Sequence, residues 1–549
     1  MSEHIDNQRS RAQESTAAIE RIYIAMRHLL IRGFYKPMGV SGKILRESLL
    51  TLSPEIYGSI AESKVELDGL LYVMERLPLG IEECRFINLT SDEGYANSHF
   101  KAIIPKKRRR NCYRIDAEQM NIEITRGRSD IYDILTHLTF LFIESHKILK
   151  RILVDEEKGL SRDWEKLQLA VNKNKLSDKE KEVAITHTAN ILGRTFKEIN
   201  AIYDNFSTDN DADRFLKLIY FLGELALAED LKNEKRVITF SPVLRDRLGH
   251  HIHGEQWAHR IKATLEQKSL LTRKLHIISA NMHSVMNTIY AKEALKRFCK
   301  DKSDLEIFEA LSDNKNETLR KKVSDYALKN GMCFIKDQSG TNIDVQLFDL
   351  SYVLDDETAP VLLVMDYAFG EQAYETIDEL LKPHLLKSNK LHYWNVESIS
   401  IMGKAGVLGG AKGDIMIPKA HLFEGTADNY PFENALKQES FKGYGLNVFS
   451  GAMVTVLGTS LQNRKLLKFF HDSTWDVVGI EMEGAHYQKA IQAASKLRGN
   501  IKKEVTVRYA YYASDNPLET GSTLASGGLG TTGVKPTYLI TEKILDQIF

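Results

Sequence analysis

Two acidic segments of the sequence stand 32 residues apart, each at the carboxyl end of a predicted strand. The first, GIEMEGAHYQ, puts Glu481, Met482 and Glu483 at a strand-to-helix junction; the second, YYASDNPLETG, ends a long apolar strand in Ser514 and Asp515. Open α/β sheets bind ligands outside the carboxyl ends of their strands, so acids at these places are set to hydrogen-bond a ligand or move a proton. A third segment, GKAGVLGGAKGD (403–414), reads as a glycine loop in which backbone can approach a ligand closely, with Gly406 inside it and Lys404 as its cation. Each has a plainer reading. Asp515, followed by Asn516 and Pro517, could be a turn or N-cap residue, Glu483 a first-turn acid favoured by the helix dipole, and Met482 core filler.

The elements that must position these residues change character along the chain. Residues 106–359 contain one proline, Pro242, and repeat apolar residues at helical spacing: Ile131, Ile134, Leu135, Leu138, Leu141 and Phe142 in one run, Phe215, Leu218, Ile219 and Leu222 in another. The spacing predicts a largely α-helical region, with an α-helical domain over 106–340 preceded by a mixed segment over 1–105. From Pro360 onward, 19 of the 34 glycines accompany short β-branched runs. Strands are expected at 360–365, 397–403, 413–418, 451–458, 477–481 and 505–513, with a terminal helix in KPTYLITEKILDQIF, which makes the C-terminal part an α/β domain.

Composition narrows the partners. Lys plus Arg and Asp plus Glu each number 74, so the formal charge is zero, and no global field recruits nucleic acid or an anionic membrane. The four cysteines, Cys84, Cys112, Cys299 and Cys333, show no paired or metal-ligand spacing, and no apolar run approaches the roughly 20 residues of a bilayer span. A cytoplasmic protein with no membrane or nucleic-acid partner is expected. The run KKRRR (Lys106 to Arg110) then reads as a solvated loop, and His250, His251, His253 and His259 as a surface or interface helix, not a metal site.

In chain order, the glycine loop with its GD, then GAMVTV, EMEGA and SDNP resemble the nucleoside phosphorylase and nucleosidase superfamily over roughly residues 345–549. Within it, SDNPLETG is similar to the corresponding segment of AMP nucleosidases, which also carry an additional N-terminal domain. The resemblance implies a phosphorylase-like mixed central sheet flanked by helices, and cleavage of an N-ribosidic bond with no cofactor and no metal. Asp515 would protonate or hydrogen-bond the purine N7, Glu483 would accept hydrogen bonds from the ribose hydroxyls, and Met482 would pack beneath the sugar, with Ser514, Gly406 and Lys404 lining the substrate. A carboxylic acid that delivers a proton near neutral pH needs a raised pKa, which burial against Tyr511 and Tyr512 would supply.

Members that hydrolyse activate water with a carboxylate just after the first strand; that strand is expected to run into MDYAFGEQAYE, which offers Asp366, Glu371 and Glu375, and Glu371 is the choice, against the plainer reading of an exposed helix acid. No arginine stands at the glycine loop to hold inorganic phosphate, which favours hydrolysis, and Lys404 would meet a phosphate. The implied reaction is AMP plus water to adenine and ribose 5-phosphate, by a homo-oligomer acting on a small purine nucleotide. The alternatives are a phosphorylase or nucleosidase acting on free purine nucleosides, and a non-catalytic protein that binds a nucleotide to regulate partners. RGRSD (126–130) is expected to cap the helix after it or to serve a phosphate, and SGGLGTTG (526–533) to be a loop that could close over the substrate.

Overall fold

The computed structural model describes residues 2–108, 110–154, 159–173, 175–313, 315–426, 428–519 and 530–549, with side chains from residue 12 onward. Two mixed sheets with flanking helices organise these residues. The first contains β1 (Phe34–Tyr35), β2 (Phe86–Thr90), β3 (Ala102–Ile103), β4 (Cys112–Arg114), β5 (Gln119–Glu123) and β6 (Val237–Phe240), in the order β1-β6-β2-β5-β4-β3. Against it lies the helix Arg128–Ile152, which buries Ile131, Leu135, Phe140, Phe142 and Ile148 on several sides at once and is therefore sunk into the core. One apolar cluster runs from Ala12 to Leu248 and takes in Leu461 and Leu466 from far along the chain.

The second sheet contains β7 (Leu275–Ser279), β8 (Met332–Ile335), β9 (Val345–Asp349), β10 (Val361–Met365), β13 (Val396–Val407), β14 (Ile415–Phe423), β15 (Asn429–Pro431), β16 (Val448–Thr455), β17 (Val477–Glu481) and β18 (Thr506–Asp515); β11 (His384–Leu385) and β12 (Leu391–His392) form a separate hairpin. Its order is β15-β14-β16-β17-β13-β7-β10-β9-β8, and β18 pairs with both β13 and β14. The strands β13, β18, β14, β16 and β17 thus pair in a closed ring. Its interior is tight: a Cβ on Gly479 would lie 2.4 Å from the Met416 sulfur and 2.7 Å from the Gly406 carbonyl oxygen.

The six strands expected after residue 360 are present, but the organisation before it differs from expectation. The supposed helical domain over 106–340 carries β4 to β8, and two of these, β7 and β8, belong to the second sheet, so that sheet begins well before the expected boundary at 340–345. The segment 1–105 shares a single core with the residues up to 248 and is not a separate unit. The cause is strand length, since two- to five-residue strands show too little alternation to stand out among helices. No helix among the described residues is long and apolar enough to cross a membrane.

Only part of KKRRR is solvated: Lys106 and Lys107 are exposed. Arg109 lies outside the described residues, but the side chain of Arg110 is 2% exposed and donates to Asp130 at 2.7 Å and Asp133 at 2.8 Å, while Nε of Arg108 donates to Asp133 at 3.2 Å. Burial acts against the Arg110 charge, but the two carboxylates outweigh it and raise its pKa. The Asp130 of RGRSD is therefore a buried counter-ion. Removing one member of such a set strands the others, so Arg110→Met should cost about 3–5 kcal/mol in urea unfolding. A loss under about 1 kcal/mol would show the cluster to behave as a surface pair.

Candidate functional site at the carboxyl edge of the second sheet

β7, β10, β13 and β18 run parallel, so their carboxyl ends open on one edge. β7 ends opposite Ile401, whereas β13 continues to Val407 and gains β17 at Gly406 and Val407. Between these pairings a stretch of β13 has β18 on one side and no strand on the other, and here a cleft of about 480 Å³ is lined by Asn281, His283 and Ser284 from the turn after β7, Lys404 of β13 and Tyr512 of β18. Lys404 and Tyr512 are register partners, as are Gly406 and Asp515. The expected glycine loop is therefore half strand: Gly403 and Gly406 belong to β13, and the turn comes after it, closed by Asp414 accepting from the Ala411 N–H at 2.8 Å.

Asp515 is 5% exposed, and its Oδ2 has no hydrogen-bond partner among the described residues. Burial raises its pKa, opposed by the Ser514 hydroxyl and by the charges of Lys404 and Lys412. The Ser514 hydroxyl lies 2.5 Å from Asp515 Oδ1 and 3.1 Å from the Ala405 carbonyl, and its one proton can serve only one of them. With Asp515 ionised, Ser514 gives its proton to the carboxylate. Desolvation thus favours the protonated form, while the Ser514 hydroxyl, donating to Oδ1, favours the ionised one.

The EMEG turn is anchored by Glu481. Its carboxylate accepts from the Thr455 hydroxyl, from the Glu483 N–H at 2.5 Å and from the Gly484 N–H, with His421 at 3.5 Å. Burial alone would raise its pKa, but His421, Thr455 and the Gly484 N–H together lower it. Glu483 has the opposite environment. Its Oε1 accepts from the Gly370 N–H at 2.9 Å and its Oε2 from the Met482 N–H at 3.3 Å, while burial and the Glu481 charge push its pKa up to about 8, tempered by those two N–H groups and by Arg108. Adjacent acids pushed apart in this way are the arrangement from which acid and base roles are built. Gly484 is required by contact, because a Cβ there would sit 2.3 Å from the His421 ring. Met482 is buried in an apolar cluster with Leu408, Val454 and Ile480, against which Phe369 and Leu518 pack.

Glu371 is bound differently from the expectation. It caps the helix Gln372–Leu380, its Oε1 lies 3.2 Å from Arg128, and its N–H donates to Ser129 at 2.9 Å. The strand leading to it is not the first of its sheet: β7 precedes it in the chain and lies between β10 and β13. After β7 comes ANMHS, which has no carboxylate. The acid at the end of β10 is Asp366, whose pKa is raised by burial and by Asp344. Glu375 is buried within its helix and raised to about 8 by burial and by Glu371. Asn281, His283 and Ser284 were missed with β7; its signal, LHIIS before ANMHS, is five residues inside a proline-poor stretch. Arg108 was missed with KKRRR, and it lies 5.0 Å over the Phe369 ring. Of the histidines, His253 joins Ser91 at 3.1 Å to the Ser339 carbonyl at 2.6 Å and so links the two halves. Of SGGLGTTG, residues 526–529 lie outside the described residues, and Gly530–Gly533 forms a 3₁₀ turn.

No curated protein matches the chain. Among solved structures it is similar to the 5′-methylthioadenosine/S-adenosyl homocysteine nucleosidase of Campylobacter jejuni, at 11% identity and a TM-score of 0.31, over 50% of this chain and 97% of that one. It is also similar to the futalosine hydrolase of Helicobacter pylori, at 13% identity and 0.30 over 50% and 98%, and to the uridine phosphorylase of Schistosoma mansoni, at 12% and 0.31 over 50% and 87%. A family of unknown function, DUF6909, matches residues 43–327 and 308–549, and the chain belongs to that family.

The Glu483 environment has a measurable consequence. Its carboxyl is raised from 4.5 to about 8 in the folded protein, so its contribution to stability is complete below pH 4.5 and is lost as pH rises through 8. Glu483→Gln should flatten the fall in unfolding free energy across that window. An unchanged slope would show the acid to be ionised in the folded state.

Proposed function

We propose that this member of the DUF6909 family hydrolyses the N-ribosidic bond of a purine nucleotide, converting AMP and water to adenine and ribose 5-phosphate. The observation that carries the reading is Asp515: a buried acid with one free oxygen, its pKa raised by burial, at the edge where four parallel strands end. Departure of a purine leaves the bonding pair on the base and an oxocarbenium-like sugar, so an acid must meet the base, hydroxyl-binding groups must hold the ribose, and water must lose a proton. Asp515 gives its proton to N7 as the C1′–N bond breaks. Glu483 receives the ribose hydroxyls, and Met482 and Phe369 supply an apolar surface beneath the sugar. Water adds to C1′ and passes its proton to a carboxylate. Glu371, already paired with Arg128, is poorly placed to take it, and Asp366 at the end of β10 is the better candidate.

Lys404 supplies the positive charge for the substrate phosphate, which favours nucleotide over nucleoside. The enzyme acts as a homo-oligomer in the cytoplasm on a small-molecule substrate. Purified protein incubated with AMP should release adenine without added phosphate. A requirement for phosphate would move the reaction to phosphorolysis, and no base release from any purine nucleotide or nucleoside would end the proposal. Asp515→Asn should lower turnover by about 10²–10⁴-fold with an unchanged melting temperature; an unchanged rate would remove Asp515 from the role of acid.

A further inference from the structure

A second cavity, of about 190 Å³, lies where the first half of the chain meets the second sheet. Tyr23 of the helix Ser2–Arg32 and Tyr132 of the helix Arg128–Ile152 form one wall; Tyr374, Phe423, Glu424 and His486 form the other. Glu424 is 6% exposed and Tyr132 is 2% exposed; the Tyr132 hydroxyl makes no hydrogen bond among the described residues, and the Glu424 carboxyl has only the Leu457 N–H beside it. Buried polar groups are ordinarily paired, and both residues line this cavity.

Asp428, which is exposed, and His251, 3.8 Å from Glu379, also line the cavity, and its other charged groups have neighbours. Arg128 is paired with Glu371 at 3.2 Å, Lys489 stands 5.6 Å over the Tyr374 ring, and burial holds His486 neutral, with a pKa lowered to about 3. Glu424 has no cation beside it, and burial pushes its carboxyl up to about 8, tempered only by the Leu457 backbone N–H. At neutral pH it therefore presents an O–H donor beside a carbonyl acceptor, between aromatic faces. The complement is a planar, uncharged ring with an acceptor next to a donor on one edge. The volume falls below the roughly 300–1,000 Å³ of sites for drug-sized ligands, which suits a free base and excludes a whole nucleotide.

We propose that this cavity is a second binding site, distinct from the sheet-edge cleft, that takes a free purine base through the Glu424 carboxyl and the Tyr132 hydroxyl with its ring between Tyr23, Tyr374 and Phe423. Base binding here does not depend on catalysis, and it would stand if no N-ribosidic bond were ever cleaved.

Calorimetric titration of adenine into the full-length protein should fill a site that Asp515→Asn leaves intact, that Tyr132→Phe weakens, and that Glu424→Leu reduces at least tenfold. Glu424→Gln keeps a donor beside an acceptor without charge and should retain binding. Adenine heats that are the same in the parent, Glu424→Leu and Tyr132→Phe proteins would overturn the site. Guanidinium and ethylammonium serve as cationic probes: binding of either that Glu424→Gln abolishes, with none by adenine, would overturn the base assignment. Should Glu424→Leu fail to fold, Tyr132→Phe and Glu424→Gln decide the matter alone.

Discussion

The candidate site depends on one strand being longer than its neighbours. β13 runs twelve residues, and its two sides are satisfied by different partners at different points. β18 accompanies it from Ser398 to Gly406, with a bulge between Ala405 and Gly406, while on the other side β7 leaves after Ile401 and β17 arrives at Gly406. Backbone groups cannot stay unpaired in a dry interior, so the interval between these neighbours has to face a wet cleft or be covered by side chains from the turns around it. That requirement opens the crevice, and it places the turn after β7 and Tyr512 of β18 around it. The same strand closes the ring of five through β17, which brings the EMEG turn to the neighbourhood of the β10 turn and lets Gly370 reach Glu483.

Charge placement follows from that geometry. Glu481 is spent on holding the turn: its oxygens take the backbone N–H groups at the start of the helix Gly484–Gln492, where a negative charge is also favoured by the helix dipole. Because Glu481 keeps its charge, Glu483 two residues on meets both burial and a like charge. One acid is structural and ionised, the other is raised. The first half of the chain adds Arg108 nearby, held by Asp133 and ultimately by the Arg110 cluster.

The second sheet after residue 360 was legible because β13, β14, β16 and β18 run eight to twelve residues and the five-residue β10 and β17 are mostly aliphatic, and the acids at their ends could be read with them. Asp515 and Glu483 lie where the strand ends put them. What was illegible has physical causes. β7 is a five-residue strand whose partners β10 and β13 lie some 85 and 120 residues away, so nothing local distinguishes it from a turn of helix. With β7 hidden, the turn carrying Asn281, His283 and Ser284 was hidden, and the first strand was assigned one strand too late, which led to Glu371. KKRRR misled for the converse reason. Five cations in a row look solvated unless their counter-ions are known, and Asp130 and Asp133 stand 20 and more residues away on the next helix.

Leu461 and Leu466 lie in the apolar cluster of the first half, between β16 and β17 of the second sheet. They tie the two halves in time as well as in space. During synthesis the first 250 residues leave the ribosome more than 200 residues before those two leucines, and a core that waits for them is incomplete for that interval. The nascent first half must therefore persist with an apolar opening that its own sequence does not fill. The closing of that opening is coupled to assembly of the sheet that bears the candidate site, so chain completion and site formation arrive together.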